Sequence, residues 1–168
     1  ATSMPLAQSN LIKKELVSRA LATKSLLEFS KRSHEDYNVN WHHLKMIEKL
    51  EQMENGEIDR LIISMPPRNG KSQLTSIFFP VWFLGRNPSK RAVIASAGQT
   101  LAANFGRQTR NLVKSPAFEN VFESRMSEDS YSVLHWDLCE GGGLQSLGLG
   151  SMFTGFGADL LVIDDPHK

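Results

Sequence analysis

The sequence predicts an α/β protein in which helices flank a parallel sheet and a helical segment precedes it. Apolar residues in the first sixty positions recur at steps of three and four, which is typical of amphipathic helices. From residue 60 onward, short apolar runs alternate with helical patterns, the order that parallel βαβ units require. The chain has 168 residues, 40% hydrophobic and 22% charged, a composition that argues against wholesale disorder and fits one domain.

Residues 1–59 form the predicted helical segment. The first helix carries its apolar positions on one face: Ile12, Leu16, Ala20, Thr23 and Leu27. The second helix carries on one side Leu44, Ile47, Leu50 and Met53. Asn40 is the expected N-cap of the second helix, and Asn55 with Gly56 is its expected end.

Residues 60–168 form the predicted α/β core. Buried strands are expected at 61–65, 91–96 and 159–165, and helices at 71–84 and 99–114. Pro80 should kink the first of these helices and Gly85 should close it. Between residues 128 and 157, alternating apolar positions and seven of the 12 glycines predict an antiparallel excursion with tight turns.

A candidate phosphate-binding loop lies between the first predicted strand and the helix that follows it. Its residues are Arg68, Asn69, Gly70, Lys71 and Ser72. A helix N-terminus presents unpaired N–H groups to an anion, Gly70 lets the backbone approach it, Lys71 reaches the terminal phosphates and the Ser72 hydroxyl suits Mg²⁺. The strict pattern begins with glycine where this chain has Met65, so a chance turn is the alternative.

Two adjacent carboxylates end the last predicted strand. Asp164 occupies the position from which P-loop proteins hold Mg²⁺, and Asp165 is placed to orient an attacking water as general base. A capped turn before Pro166 is the alternative for both. Arg68 could contact the terminal phosphate as charge develops there, or it could be a surface arginine that pairs with an acid.

Two further groups of residues have structural interpretations. Trp41, His42 and His43 could frame a purine base, but a hydrophobic staple at the start of the second helix is favoured. Cys139 is the only cysteine, which excludes internal disulfides. It has His135 nearby but no third catalytic partner, so it is expected to pack rather than to react.

Charge is segregated along the chain although the formal net charge is only +1. Residues 61–115 hold eight Lys/Arg and no carboxylate, whereas residues 116–168 hold two Lys/Arg and nine carboxylates. The basic block is therefore a candidate surface for phosphates, unless the acidic block balances it in space.

Several motifs occur in the same order as in one known family. They are 65–72 (MPPRNGKS), 79–85 (FPVWFLG), 105–107 (FGR), 111–113 (NLV), 115–118 (SPAF) and 154–166 (TGFGADLLVIDDP). Over about residues 40–168 the chain resembles the ATPase domain of the large terminase subunit of tailed bacteriophages. The resemblance implies a P-loop ATPase of the additional-strand type, of which residues 60–168 would be a partial core.

The resemblance also implies a function. Such proteins hydrolyse ATP with Mg²⁺ to move double-stranded DNA into a procapsid, in the cytoplasm of the bacterial host. The partners would be the DNA, the portal protein, the small terminase subunit and further copies of the chain in a ring, without a membrane. By this carry-over Lys71 and Ser72 hold phosphate and Mg²⁺.

The remaining site residues follow from the same carry-over. Asp164 would support the metal, Asp165 would activate water and Arg68 would sense charge on the terminal phosphate. Within the basic block, residues at helical spacing are the expected contacts to DNA phosphates: Arg107, Arg110 and Lys114.

The sequence departs from the family at two points. Phe156 stands where relatives often have a basic residue, so a trans-acting arginine would have to be another, such as Arg107 or Arg110. The sequence also stops three residues after Asp165, without the nuclease domain or the strand that inserts beside the metal-binding strand. We therefore expect a gap in the sheet and poor stability or activity of these residues alone.

Two other functions are the alternatives to a packaging ATPase: a non-catalytic truncated prophage remnant and a helicase-like nucleic-acid-dependent ATPase.

Overall fold

One open sheet organises the protein, whose computed structural model describes residues 6–130, 132–150 and 157–166. The strands are β1 (Arg91–Ser96), β2 (His135–Asp137), β3 (Gly143–Gly148) and β4 (Leu160–Asp164). They lie in the order β2-β3-β1-β4, with β1 parallel to both β3 and β4 and with β2 antiparallel to β3. The predicted α/β class is confirmed, although the sheet is mixed rather than all-parallel.

Helices precede and flank this sheet. They are α1 (Leu6–Lys24), α2 (Leu26–Ser33), α3 (Trp41–Glu54), α4 (Lys71–Gln73), α5 (Phe79–Arg86), α6 (Gln99–Val113) and α7 (Pro116–Glu119), with a π-helical turn at Leu74–Phe78 between α4 and α5. Within the described ranges, no helix combines the length and the hydropathy needed to cross a bilayer.

The N-terminal helical segment differs from the prediction in its first half. One expected helix is two, because Ser25 caps α2 by accepting a backbone N–H of its first turn at 3.4 Å. The predicted apolar face is also wrong, since Ile12 and Leu16 are exposed whereas Ala22 and Leu26 are fully buried. The contact with the core therefore begins at the end of α1 rather than along its length.

The second predicted helix, α3, is confirmed at both ends. Asn40 is its extended N-cap, and Gly56 follows its C-terminus with a φ of 76°. Ile47 and Leu50 are buried as expected, but Leu44 is 48% exposed and does not share their face. This helix brings its N-terminus against the candidate phosphate loop.

The predicted strand at 61–65 is wrong. Residues 61–66 have no regular secondary structure: Ile62 is almost fully exposed, while Leu61 and Ile63 pack against the core. A cavity of about 640 Å³ is lined by this segment and by β4, and within the described residues the segment pairs with no strand. Because no strand forms at 61–65, β4 is an edge strand that pairs with β1 alone, and the gap expected between two strands of the sheet is not observed among the described residues.

The sequence predicts a kink near Pro80, and the helical run 71–86 has a π-helical turn just before that residue. Pro80 has no N–H to donate to the carbonyl one turn earlier, which accounts for an irregularity at this place. Gly85 does not close the run, since Asn87 is the C-cap. A Cβ on Gly85 would lie 2.5 Å from the ring of Phe122, so the glycine serves packing instead.

The predicted antiparallel excursion is confirmed in part. β2 and β3 form an antiparallel pair, but β3 also pairs with β1 and is thus a central strand of the sheet. Trp136 of β2 is fully buried and its indole N–H donates to the Thr109 hydroxyl of α6 at 3.2 Å. The excursion therefore extends the sheet on the side away from β4.

Candidate functional site

The candidate loop enters α4 through a left-handed turn. Arg68 has a φ of 64° and Gly70 a φ of 71°, in a region that costs a non-glycine residue about 1–2 kcal/mol. The Asn69 side-chain amide donates to the Pro66 carbonyl at 3.1 Å, and Gly70 is the N-cap of α4. The unpaired N–H groups of the helix start therefore open onto this loop.

His43 of α3 holds the loop from the side. Its Nε2 lies 2.9 Å from the carbonyl oxygen of Asn69, and a Cβ on Gly70 would lie only 2.8 Å from that nitrogen. Glycine is thus required at position 70 both for the left-handed backbone and for the approach of the imidazole.

Lys71 reaches the carboxyl end of β4. Its Nζ lies 3.1 Å from Oδ1 of Asp165 and 3.7 Å from Oδ1 of Asp164. Asp164 is only 3% exposed, whereas Asp165 is 63% exposed and faces solvent. The two sequence motifs, more than ninety residues apart, therefore meet at the carboxyl end of a parallel strand, where α/β sheets bind ligands.

Asp165 has an unusual backbone conformation. Its φ is 44°, and its carbonyl accepts the Ala97 N–H at 3.2 Å, which ties it to the end of β1. A non-glycine residue held in this region at a strand end is typical of sites where a side chain is positioned for function.

The sequence assigns the Ser72 hydroxyl to Mg²⁺, but the hydroxyl that contacts Asp164 belongs to another serine. Ser76, in the π-helical turn, donates to Oδ2 of Asp164 at 2.6 Å, and both side chains are buried. Ser72 lies on the first turn of α4 and is partly buried. Because Oδ2 is engaged by Ser76, Oδ1 is the oxygen of Asp164 that faces Lys71 and the open site.

A polar cavity of about 250 Å³ adjoins the loop on the side of α3. Its lining consists of His34, Asp36, Tyr37, Asn38, Asn40, His42, His43, Arg68, Asn69, Gly70 and Gln73. The Tyr37 hydroxyl and Nε2 of His42 are buried and make no hydrogen bond within the described part of the chain. Such atoms favour a ligand that supplies the missing partners.

The hydrophobic-staple interpretation of residues 41–43 is wrong. Trp41 is 73% exposed, and Leu44, one turn later, is nearly half exposed. The two side chains therefore do not form a hydrophobic staple at the start of α3. His43 is buried instead, with its ring centroid 4.1 Å from that of His42 and 5.6 Å from that of Tyr37.

Burial perturbs two of these side chains. It raises the pKa of Tyr37 to about 12, so the hydroxyl stays protonated at neutral pH. Burial also lowers the pKa of His43, which the hydrogen bond to Asn69 opposes and the neighbouring His42 reinforces. The neutral imidazole of His43 is therefore favoured.

The other predicted site residues lie on separate parts of the fold. Arg107 of α6 and Lys114 at its C-cap are exposed, whereas Arg110 is partly buried. Cys139 is exposed, so its expected packing role is wrong. Phe156 lies outside the described residues. No cluster of three or more His, Cys, Asp or Glu that could hold a metal occurs among the residues that the structure describes.

Sequence reasoning missed two residues of this site. Ser76 lies four positions after Ser72, but nothing in a Gly-Lys-Ser motif indicates which hydroxyl a distant aspartate will contact. Tyr37 lies in a polar stretch between two helices, and nothing in the sequence there distinguishes it from an ordinary loop tyrosine.

The described residues define an α/β protein with an open mixed sheet, in which a left-handed loop, a lysine and two carboxylates meet at the end of β4. The chain matches no protein-family model, and no curated protein matches it.

Proposed function

We propose that the chain is the ATPase module of a viral DNA-packaging motor, a P-loop ATPase of the additional-strand type that moves double-stranded DNA into a procapsid. The observation that carries the proposal is the approach of Lys71 to Asp164 and Asp165. P-loop ATPases have a lysine at the start of a helix that faces strand-end carboxylates. A nucleoside triphosphate binds between them together with its cation.

Lys71 would exchange its partners when a nucleotide binds. Its side chain is 25% exposed and pairs mainly with the exposed Asp165, a contact that water and salt weaken. Phosphate oxygens beside the N–H groups of the loop offer a denser negative charge to the same ammonium. The Lys71–Asp165 pair would therefore open as the phosphates arrive.

The residues present also fit a magnesium ion. Asp164 has one oxygen engaged by Ser76 and one facing the site, so it can offer a single oxygen to a cation. Ser72, on the first turn of α4, would supply a hydroxyl. Mg²⁺ bound there would neutralise charge on the terminal phosphates.

Asp165 would act as the general base. Its side chain is exposed and lies beside the buried Asp164. When Lys71 turns to the phosphates, the Asp165 carboxylate would be free to accept a proton from a water molecule. Arg68 is exposed on the rim of the polar cavity, from which it could contact the terminal phosphate.

The polar cavity would take the nucleoside part of the nucleotide. It shares Arg68, Asn69 and Gly70 with the phosphate loop. Its lining also includes Tyr37 and His42, whose hydroxyl and Nε2 have no hydrogen-bond partner among the described residues. Its volume of about 250 Å³ is just below the range of about 300–1,000 Å³ for small-molecule sites, which suits a base and sugar rather than a larger ligand.

The open side of β4 supports the additional-strand class. In that class a further strand lies between the phosphate-loop segment and the metal-binding strand, and the cavity of about 640 Å³ lies at this place. The remaining features of the proposal are double-stranded DNA, the portal protein, the small terminase subunit and a homo-oligomeric ring as partners, in the cytoplasm of the bacterial host. These features rest on the resemblance alone.

The first experiment compares Lys71→Ala with Lys45→Ala in the full-length protein. Lys45 is an exposed lysine of α3 and serves as the matched control. We expect Lys71→Ala to abolish ATP binding and DNA-stimulated hydrolysis, and Lys45→Ala to leave both unchanged. Equal activity in the two variants would contradict an ATPase function.

A second measurement separates packaging from the helicase alternative. Stimulation by duplex DNA without strand separation would favour packaging, and strand separation would favour the helicase alternative.

A further inference from the structure

His43 joins the start of α3 to the phosphate loop through both of its ring nitrogens. Nδ1 lies 3.0 Å from the backbone nitrogen of Asn40, and Nε2 lies 2.9 Å from the carbonyl oxygen of Asn69. The side chain is 5% exposed, so neither bond is readily replaced by one to water.

These two partners define the tautomer of His43. The Asn40 N–H can only donate, so Nδ1 must accept and cannot carry a proton. The Asn69 carbonyl can only accept, so Nε2 must carry the proton and donate it. A second proton, on Nδ1, would face the Asn40 N–H and break the bond at the start of α3.

We propose that His43 is a positioning residue for the phosphate loop, and that its neutral Nε2–H form holds Asn69 and Gly70 in the conformation that binds phosphate. This proposal rests on the proposed nucleotide-binding function. Asn69 is one of the two residues before Lys71, and Gly70 leaves no space for a Cβ beside the imidazole. The loop therefore cannot shift toward α3, and the hydrogen bond keeps it from shifting away.

The proposal includes a pH dependence of nucleotide binding. Protonation of His43 breaks the Asn40 bond, tilts the ring and weakens the contact with Asn69. The titratable or charged groups around the imidazole are Tyr37, His42 and Arg68, with His34 and Asp36 lining the same cavity. Tyr37 stays neutral over the acid range, and the variants described next separate the contribution of His43 from those of His34, His42 and Asp36.

Two amide variants separate the roles of the two nitrogens. In His43→Asn the amide lies near the position of Nδ1 and can keep the Asn40 bond, but it cannot reach Asn69. In His43→Gln the amide lies near the position of Nε2 and can keep the Asn69 bond. If His43 serves only α3, the Asn variant keeps its function because it keeps the bond to Asn40. If His43 positions the loop, the Gln variant keeps its function because it keeps the bond to Asn69.

The measurements are hydrogen exchange of the loop amides at 68–71 and the affinity for a fluorescent ATP analogue between pH 5 and 8. The range extends below the ordinary histidine pKa because burial lowers the pKa of His43. We expect His43→Asn to accelerate loop exchange, to weaken affinity about tenfold and to flatten the acid decline in affinity, as one lost hydrogen bond implies. His43→Gln should stay near wild type at pH 8 and also lose the acid decline. His42→Gln is the comparison for the neighbouring imidazole: because His42 lines the proposed nucleoside cavity, its affinity is expected to fall at every pH, while the acid decline persists.

The outcomes distinguish this proposal from the one it rests on. Wild-type protein that binds no ATP analogue contradicts the proposed function, whatever the loop exchange shows. Wild-type binding that depends on Lys71, together with unchanged loop exchange and affinity in His43→Asn, overturns the positioning role alone. An acid decline that persists in both His43 variants likewise overturns the role of the neutral imidazole.

Discussion

The Ser76 hydroxyl donates a hydrogen bond of 2.6 Å to Oδ2 of Asp164, and the two residues are buried although 88 positions separate them. The bond orients the carboxylate so that its other oxygen faces Lys71. It also satisfies an atom that would otherwise be a buried acceptor without a partner.

Ser76→Ala should therefore lower both stability and hydrolysis. We expect the free energy of unfolding to fall by about 1–3 kcal/mol, because Oδ2 of Asp164 loses its donor while it stays buried. The measurement is urea unfolding together with the Mg²⁺ dependence of ATP hydrolysis. Ser30→Ala is the matched control, since its buried hydroxyl bonds only a carbonyl of its own helix. Equal losses in the two variants would show that the contact with Asp164 has no special role.

Asp165→Asn should separate nucleotide binding from hydrolysis. Asparagine tolerates the φ of 44° as well as aspartate does, so the backbone is expected to stay in place. Loss of the general base should reduce turnover by about 10²–10⁴-fold. Affinity should hold or rise, because Lys71 no longer pairs with a carboxylate at this position. Steady-state hydrolysis and equilibrium binding of an ATP analogue test both halves, and turnover like that of wild type would exclude Asp165 as the base.

The sequence indicates the loop and the two aspartates of this candidate site, but not the side chains that hold them in place. The loop and the two aspartates were recognisable because each is a short local pattern at the end of an apolar run. Ser76 and His43 contribute through contacts with residues 88 and 26 positions away, and no local pattern encodes such distances. The fold class was predictable for the same reason as the loop, since it depends on the alternation of strand and helix patterns.

The errors in the fold also have physical reasons. The run 61–65 is apolar enough for a strand, but a strand needs a partner, and a cavity lies where the partner would be. The apolar stripe on α1 predicted a buried face, yet residues such as Ile12 and Leu16 have nothing to pack against within the described chain. In both cases the local apolar pattern predicts burial, but no element among the described residues completes the contact.

Gly70→Ala should destabilise the loop more than an ordinary left-handed glycine would. Gly56 is the matched control, because its φ of 76° is similar and a Cβ there would meet nothing within 4 Å. Gly56→Ala should cost about 1–2 kcal/mol for the backbone alone. Gly70→Ala adds the clash with His43, so it should cost more and should also weaken nucleotide affinity. Equal unfolding free energies for the two variants would contradict the close approach of the imidazole.

Tyr37→Phe should preserve stability at neutral pH and change it in alkali. The hydroxyl is buried without a partner among the described residues, so its removal should leave the free energy of unfolding unchanged or slightly higher. The folded pKa of about 12 lies above the ordinary value of 10.0, so the unfolded chain releases its proton first. Wild-type stability should therefore fall between pH 10 and pH 12, and that part of the fall should be absent in the variant.

The same substitution tests the nucleoside pocket. If the Tyr37 hydroxyl bonds the bound nucleotide, Tyr37→Phe should weaken affinity for ATP severalfold while the edge-to-face contact of the ring with Phe78 is kept. Tyr37→Leu removes both the hydroxyl and the ring, and its affinity shows what packing contributes. Unchanged affinity in Tyr37→Phe would place the base outside this cavity.

Neutralising the exposed cations of α6 should flatten the salt dependence of DNA binding. Arg107 and Lys114 are exposed and can each contact a phosphate, whereas the partly buried Arg110 is left unchanged to avoid a loss of packing. Each phosphate contact contributes about 0.9 to the slope of log affinity against log salt, so Arg107→Ala with Lys114→Ala should reduce the slope by about 1.8. Lys45→Ala with Lys49→Ala, on the exposed side of α3, removes the same charge as a control. Equal slopes for the two double variants would mean that α6 is not the DNA-binding surface.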